Sequence, residues 1–260
     1  MSSPEPQLGP EFLTRPFAHR TLHDRAQGII ENSLPGLDAA IAAVFGVEID
    51  LQLSSDGTAM VFHDDALGRL TKKDGPVRAL SAAELERLPL TDGQGSTIPT
   101  FQRFLDRVAG RVPLLIELKD QSGDLTDTDG ALEAATARAL DGYAGPTALM
   151  SFNPKMVAEL ARLCPHIPRG LTTDAFQRAF WPNVPPAMRT HLSAMGDLDQ
   201  VGASFISHNH LSLDTPPVAE ARQNGLTVLT WTIRSPHEEQ VARKWADNIT
   251  FEGYDPDLPA

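Results

Sequence analysis

A single cysteine, Cys164, stands in 260 residues. No intrachain disulfide can form and no cysteine-based metal cage can be built, so the chain reads as a protein of a reducing compartment such as the cytoplasm. Positive charge is also short. Lys and Arg number 22 against 34 Asp and Glu, a net charge of −12, which argues against a sequence-independent grip on nucleic acid or an anionic membrane. One small anionic ligand is not excluded, because a few local cations or a bound metal reverse the field inside a pocket. Long apolar runs are missing too. The longest, Ala39–Val47, is about half of a membrane span, so stable membrane insertion is not expected. The opening MSSPEPQLGP has no basic stretch leading into an apolar one and does not read as a secretory signal. What remains is ordinary globular composition, at a length that one α/β barrel fills without a staple. Residues 1–14 read as a flexible tail and residues 15–260 as a single domain.

Short β-type runs alternate with amphipathic segments along almost the whole chain. Strands are expected at Pro16–Arg20, Gly46–Leu53, Thr58–His63, Pro113–Lys119, Thr147–Phe152, Arg169–Thr173, Ala203–Asn209, Thr227–Ile233 and Asn248–Glu252. Runs such as Leu114-Leu115-Ile116 suit parallel strands covered on both faces. Helical spacing marks Leu34–Phe45, Thr100–Ala109, Gly130–Tyr143, Asn153–Cys164, Pro216–Asn224 and Pro236–Ala246. Asn153-Pro154 and Ser235-Pro236 supply caps with a first-turn proline, and Gly225 a stop. Eight βα repeats indicate an α/β fold of the (β/α)8 (TIM) barrel type. An open doubly wound sheet would want a Gly-rich loop after the first strand, where His19-Arg20-Thr21-Leu22 stands instead. Residues 174–202 show no readable pattern.

The extra strand follows Asp56-Gly57, a hairpin signal. A two-residue turn there pairs Ser55 with Thr58 and sets Asp50 directly across from His63. A small insertion of about residues 66–99 follows this second barrel strand, with a capping box in Ser81 and Glu84 opening a helix over Ser81–Leu88. Lying after a strand's carboxyl end, it is expected to act as a partial lid.

Glu48 and Asp50 project from one strand face, and Glu117 and Lys119 repeat the spacing. Buried carboxylates are costly unless they are paired or bound to metal. Converging at strand ends, Glu48, Asp50 and Glu117 would make an all-oxygen site for Mg²⁺ or Ca²⁺. The competing reading is plain ion pairing, Glu117 with Lys119 or Glu48 with Arg20. His19 and His63 close two strands and read as an acid/base pair. Arg20 offers a fork for a phosphoryl group and Lys119 a point charge. Trp231 either walls the pocket or fills the barrel. His208 and His210 form a pair with no evident third ligand.

Phe17-Ala-His-Arg, Glu31-Asn-Ser-Leu-Pro, Val47-Glu-Ile-Asp-Leu-Gln-Leu, Val61-Phe-His-Asp-Asp, Leu115-Ile-Glu-Leu-Lys and Thr230-Trp-Thr-Ile together resemble the glycerophosphodiester phosphodiesterase family in order and spacing. The resemblance implies a barrel with a small insertion and a divalent metal on Glu48, Asp50 and Glu117. It also implies catalytic His19 and His63, and Glu31 and Asn32 as supporting residues. The implied reaction is hydrolysis of a small glycerophosphodiester to an alcohol and glycerol 3-phosphate. Three positions depart from the pattern: Thr21 stands where glycine is usual, Ile30 where proline is, and Ser33 where threonine is. Two alternatives remain. One is a lipid phosphodiesterase like lysophospholipase D or sphingomyelinase D; the other is a barrel that only binds metal or phosphoester.

Overall fold

The computed structural model describes residues 6–256. Strands and helices alternate as β1 (Phe17–Ala18), α1 (Leu34–Ala42), β2 (Gly46–Leu53), β3 (Ala59–Val61), α2 (Ala82–Leu85), α3 (Phe101–Val108), β4 (Leu114–Leu118), α4 (Ala131–Leu140) and β5 (Thr147–Ser151). They continue as α5 (Pro154–Leu163), β6 (Arg169–Thr173), α6 (Pro186–Ser193), β7 (Phe205–Asn209), α7 (Pro216–Gln223), β8 (Thr227–Ile233), α8 (Pro236–Ala242) and β9 (Asn248–Phe251). The fold is a (β/α)8 barrel in which β3 is an added antiparallel strand. The chain divides into two compact units.

The first unit spans Phe17–Lys119 and Asp129–Pro146. Here β1 and β4 each pair in parallel with β2. Every residue of β2 and β4 is buried, which is why these strands read as apolar runs broken only by Glu48, Asp50, Gln52 and Glu117. Helix α3 buries Phe101, Phe104, Leu105 and Val108, one stripe at helical spacing, and starts where the Thr100 side chain accepts from Arg103 N.

The hairpin departs from expectation by one residue. Leu51 pairs with Val61 and Leu53 with Ala59, and Ser54 N donates to Thr58 O, leaving a three-residue turn closed by Gly57 at φ +76°. Thr58 N donates to Ser54 Oγ, which in turn reaches the Asp56 carboxylate, so pairing stops at Ser54, one residue short of what a two-residue turn would give. Asp50 therefore lies opposite Phe62, whose N–H donates to the Asp50 carbonyl, and not opposite His63. Met60 and Phe62 join the insertion's own apolar core with Ile30, Leu67, Leu70, Val77, Leu85, Leu90 and Ile98. The Ser81–Glu84 capping box forms, but its helix is the single turn Ala82–Leu85.

The second unit comprises residues 6–16, Asp120–Thr128 and the chain from Thr147 on, with β5 to β9 pairing in parallel, each with the next. Part of the expected tail is packed. Residues 1–5 lie outside the described residues, but Pro10–Phe12 is a 3-10 turn with Phe12 buried. Asn248 Nδ2 ties it down, donating to Phe12 O and Arg15 O at 2.7 Å each. The unreadable stretch 174–202 contains α6, and its Phe176, Val184 and Leu192 form an apolar cluster with Leu125. Among the described residues, no helix is long and apolar enough to cross a membrane.

Candidate active site

Two residues apart on β2, Glu48 and Asp50 share a face, and parallel pairing sets Asp50 beside Glu117 of β4. One carboxylate oxygen from each of the three lies within 4.8 Å of the others, and all three residues are buried. Three buried acids this close cannot all carry charge unaided. Burial, and then the charges of Asp50 and Glu117, push the Glu48 carboxyl well above its ordinary range. Burial acts in the same direction on Asp50, yet His63, Lys119, Arg20 and the Asn32 hydrogen bond outweigh it and hold that carboxyl low.

The surrounding cations explain the difference. Lys119 Nζ sits 2.7 Å from Glu117 Oε1 and 3.5 Å from Asp50 Oδ1. Burial disfavours its charge, but Glu117 and Asp50 reverse that and raise its pKa. The Arg20 guanidinium reaches Glu31 Oε1 at 3.0 Å and Asp50 Oδ2 at 3.5 Å, while its backbone N–H donates to Glu48 Oε2 at 2.9 Å. Of the two ion pairs weighed from the sequence, Glu117–Lys119 forms. Arg20 meets Glu48 through its main chain instead.

The loops leaving β1 hold these groups by unusual backbone. Arg20, Thr21 and Asn32 have φ of 51°, 74° and 56°, a region costly for side chains with a Cβ. Thr21 occupies a position whose usual glycine would adopt that conformation freely. Its side chain fits because Gly36 lacks a Cβ, which would collide with Thr21 Oγ1. Asn32 faces Asp50 twice, Nδ2 donating to Oδ2 at 2.9 Å and Oδ1 accepting from Asp50 N at 3.3 Å. Ser33 does the capping work of threonine, its Oγ accepting from Gly36 N, and Ile30 packs into the insertion core.

His19 follows directly on β1, half-buried. His63 follows β3, and its Nδ1 is 2.6 Å from Asp64 Oδ1. Gln52, third on the β2 face after Glu48 and Asp50, donates from Nε2 to His63 O at 3.1 Å and to Asp65 Oδ1 at 3.0 Å. Sequence reasoning passed over Gln52, Asp64 and Arg69. The alternation on β2 could have flagged Gln52, whereas the link from Arg69 to Glu31, 38 residues away, leaves no local signal. The first unit thus gathers His19, Arg20, Glu31, Asn32, Glu48, Asp50, His63, Glu117 and Lys119.

Trp231 belongs to the second unit, on β8 beside Asn209 of β7. It is half-buried, donates from Nε1 to Ser207 O at 2.9 Å, and meets the Phe152 ring edge-on at 5.7 Å. Phe152 in turn packs on Trp181 and Phe176.

A family model, that of the glycerophosphoryl diester phosphodiesterase family, matches residues 19–249. The chain belongs to this family. It is accordingly a phosphoric diester hydrolase. YhdW of Bacillus subtilis, named as a candidate glycerophosphodiester phosphodiesterase, is 26% identical over 213 residues, covering 79% of this chain and 81% of its own. The glycerophosphodiester phosphodiesterase of Caldanaerobacter subterraneus subsp. tengcongensis is 22% identical over 242 residues, 90% of this chain and 91% of its own. Among solved structures, an Oleispira antarctica phosphodiesterase in complex with the product sn-glycerol-3-phosphate superposes with a TM-score of 0.74 at 27% identity, covering 92% of this chain and 93% of that one.

Proposed function

We propose that the chain hydrolyses small glycerophosphodiesters to an alcohol and glycerol 3-phosphate, using a divalent cation and a histidine acid/base pair. The observation that carries this reading is the buried convergence of Glu48, Asp50 and Glu117. The donor set fits Mg²⁺ or Ca²⁺, being all oxygen, and the raised Glu48 carboxyl marks charge that a cation would offset. Bound there, the cation would neutralise phosphate charge and lower the pKa of a glycerol hydroxyl. The product held by the Oleispira relative supports glycerol 3-phosphate as the product here.

Asp64, accepting from His63 Nδ1, leaves Nε2 as the atom that exchanges a proton with substrate. One histidine removes the hydroxyl proton and the other protonates the departing alkoxide. A hydroxyl of the substrate's own glycerol gains up to about 7–11 kcal/mol from proximity when well aligned. Hydrolysis of the resulting cyclic phosphate then reverses the two histidine roles. Arg20 and Lys119 face the charge that develops on the phosphoryl oxygens. The 66–99 segment, ordered on its own apolar core around Leu67 and Leu85, would serve as a partial lid. With the single cysteine, Cys164, free and buried, the fold uses no disulfide, and we place the chain in a reducing compartment such as the cytoplasm.

The test assays glycerophosphocholine, glycerophosphoethanolamine and lysophosphatidylcholine, with and without Mg²⁺ or Ca²⁺. The first two should turn over. Cleavage of lysophosphatidylcholine alone would move the chain to the lipid enzymes, and no turnover with intact ligand binding would make it a binding barrel. His19→Ala and His63→Ala should each lower kcat by about 10²–10⁴, with the double variant losing less than the product of the two effects.

A further inference from the structure

Arg69 sits in the insertion between the buried Leu67 and Leu70, so its backbone is fixed by the apolar core beneath it. Its guanidinium spends both of its forked edges. Nη1 and Nη2 meet Glu31 Oε2 and Oε1 at 2.8 and 2.7 Å. Nε and Nη2 meet Asp64 Oδ2 and Oδ1 at 2.5 and 2.9 Å. A surface ion pair normally contributes little, since water screens it and two long side chains must be ordered to make it. Two bidentate pairs on one planar group are a different arrangement. They fix the positions of both carboxylates as well as offsetting their charge.

Both carboxylates end on a group placed in the reaction. Asp64 Oδ1 is 2.6 Å from His63 Nδ1, and Glu31 Oε1 accepts from Arg20 Nη1 at 3.0 Å. We infer that Arg69 is a positioning residue, which aims the His63 imidazole through Asp64 and the Arg20 guanidinium through Glu31. Without it, two neighbouring carboxylates lose the cation between them and repel. Asp64 is then free to turn away from His63, and Glu31 to draw Arg20 towards itself. The inference rests on the reading of His63 and Arg20 given above.

The experiment compares Arg69→Ala, Arg69→Lys and His63→Ala with the parent enzyme, using glycerophosphocholine, saturating Mg²⁺ and a thermal melt of each variant. Loss of an orienting partner typically costs about 10–100-fold, so kcat of Arg69→Ala should fall by that factor while KM stays within a few-fold. Millimolar guanidinium should restore much of the loss in Arg69→Ala and nothing in His63→Ala. Arg69→Lys should stay impaired, because one ammonium cannot span both carboxylates. Should Arg69→Ala fail to fold, Asp64→Asn serves in its place: kcat falls if Asp64 orients His63, and unchanged kcat overturns the inference. A folded Arg69→Ala with parental kcat, or one whose deficit guanidinium leaves untouched, overturns it too. If His63→Ala is fully active, the acid/base reading falls and this inference with it. An inactive His63→Ala beside a fully active Arg69→Ala removes this inference alone.

Discussion

Acid should weaken this protein through one buried histidine, and replacing it should remove that sensitivity. At the end of β7, His208 is 2% exposed. Its Nδ1 lies 2.8 Å from Thr173 Oγ1, and its Nε2 is 3.0 Å from Ser212 O and 2.9 Å from Ser212 Oγ. A neutral ring satisfies this set, donating from Nε2 to the carbonyl and accepting at Nδ1. Burial dominates and pulls the pKa down to about 4, against smaller opposing effects from Ser212 and the Asp174 charge. The folded value therefore lies below the unfolded one, near 6.5, and the unfolded chain takes up the proton first. The stabilisation is whole above about pH 6.5 and is lost as pH falls towards 4. Between pH 7 and 4.5 proton uptake favours the unfolded chain by roughly 1.8 units, or about 2.4 kcal/mol at ~1.4 kcal/mol per unit. His208→Gln keeps polar atoms in the site but cannot titrate. Urea unfolding of both proteins at the two pH values gives the answer as a difference of differences: the parent should lose about 2.4 kcal/mol more than the variant. Parallel losses would refute the argument, because His208 would then be protonated equally in both states.

Removal of the divalent cation by chelation should abolish turnover and leave the circular dichroism spectrum unchanged, since the barrel strands carry their own apolar core. Glu117→Gln, close in shape but uncharged, should weaken metal binding in a calorimetric titration, with excess metal partly restoring activity; parental affinity would remove Glu117 from the ligand set. Gly36→Ala should destabilise the fold by driving a methyl into Thr21 Oγ1. Thr21→Gly should both relieve its left-handed backbone, by about 1 kcal/mol, and make Gly36→Ala tolerable, a coupling that a double-mutant cycle measures.

Where burial is two-sided or periodic, the sequence announces the structure. Strands β2 and β4 are covered on both faces, so the acidic residues in their apolar runs stood out as candidates for a site. The caps of α5 and α8 are local and were equally legible, Asn153 accepting from Lys155 N and Ser235 from Glu238 N. Helix α6 was not, because it buries only Leu192 and leaves no stripe to read. The packed Pro10–Phe12 turn was hidden for another reason: the bonds that order it come from Asn248, at the other end of the chain. Within the site, alternation found Glu48, Asp50 and Glu117, but nothing local says that Arg69 reaches Glu31, 38 residues away.

The length of the Ser55–Gly57 turn works as a reading frame for everything that follows it. Side chains on a strand alternate, so deleting one turn residue would exchange the faces of the whole return strand. His63 would then stand opposite Asp50, and Phe62 would lose its place in the apolar core of the insertion. Substitutions in the turn that respect the positive φ of Gly57 leave the frame alone. A change of length by one residue would be felt at every position from Ala59 to Asp64, because this stretch has no second way to recover its phase. Drift in this loop is therefore confined to its chemistry and closed to its length, the reverse of what an exposed hairpin tip ordinarily tolerates.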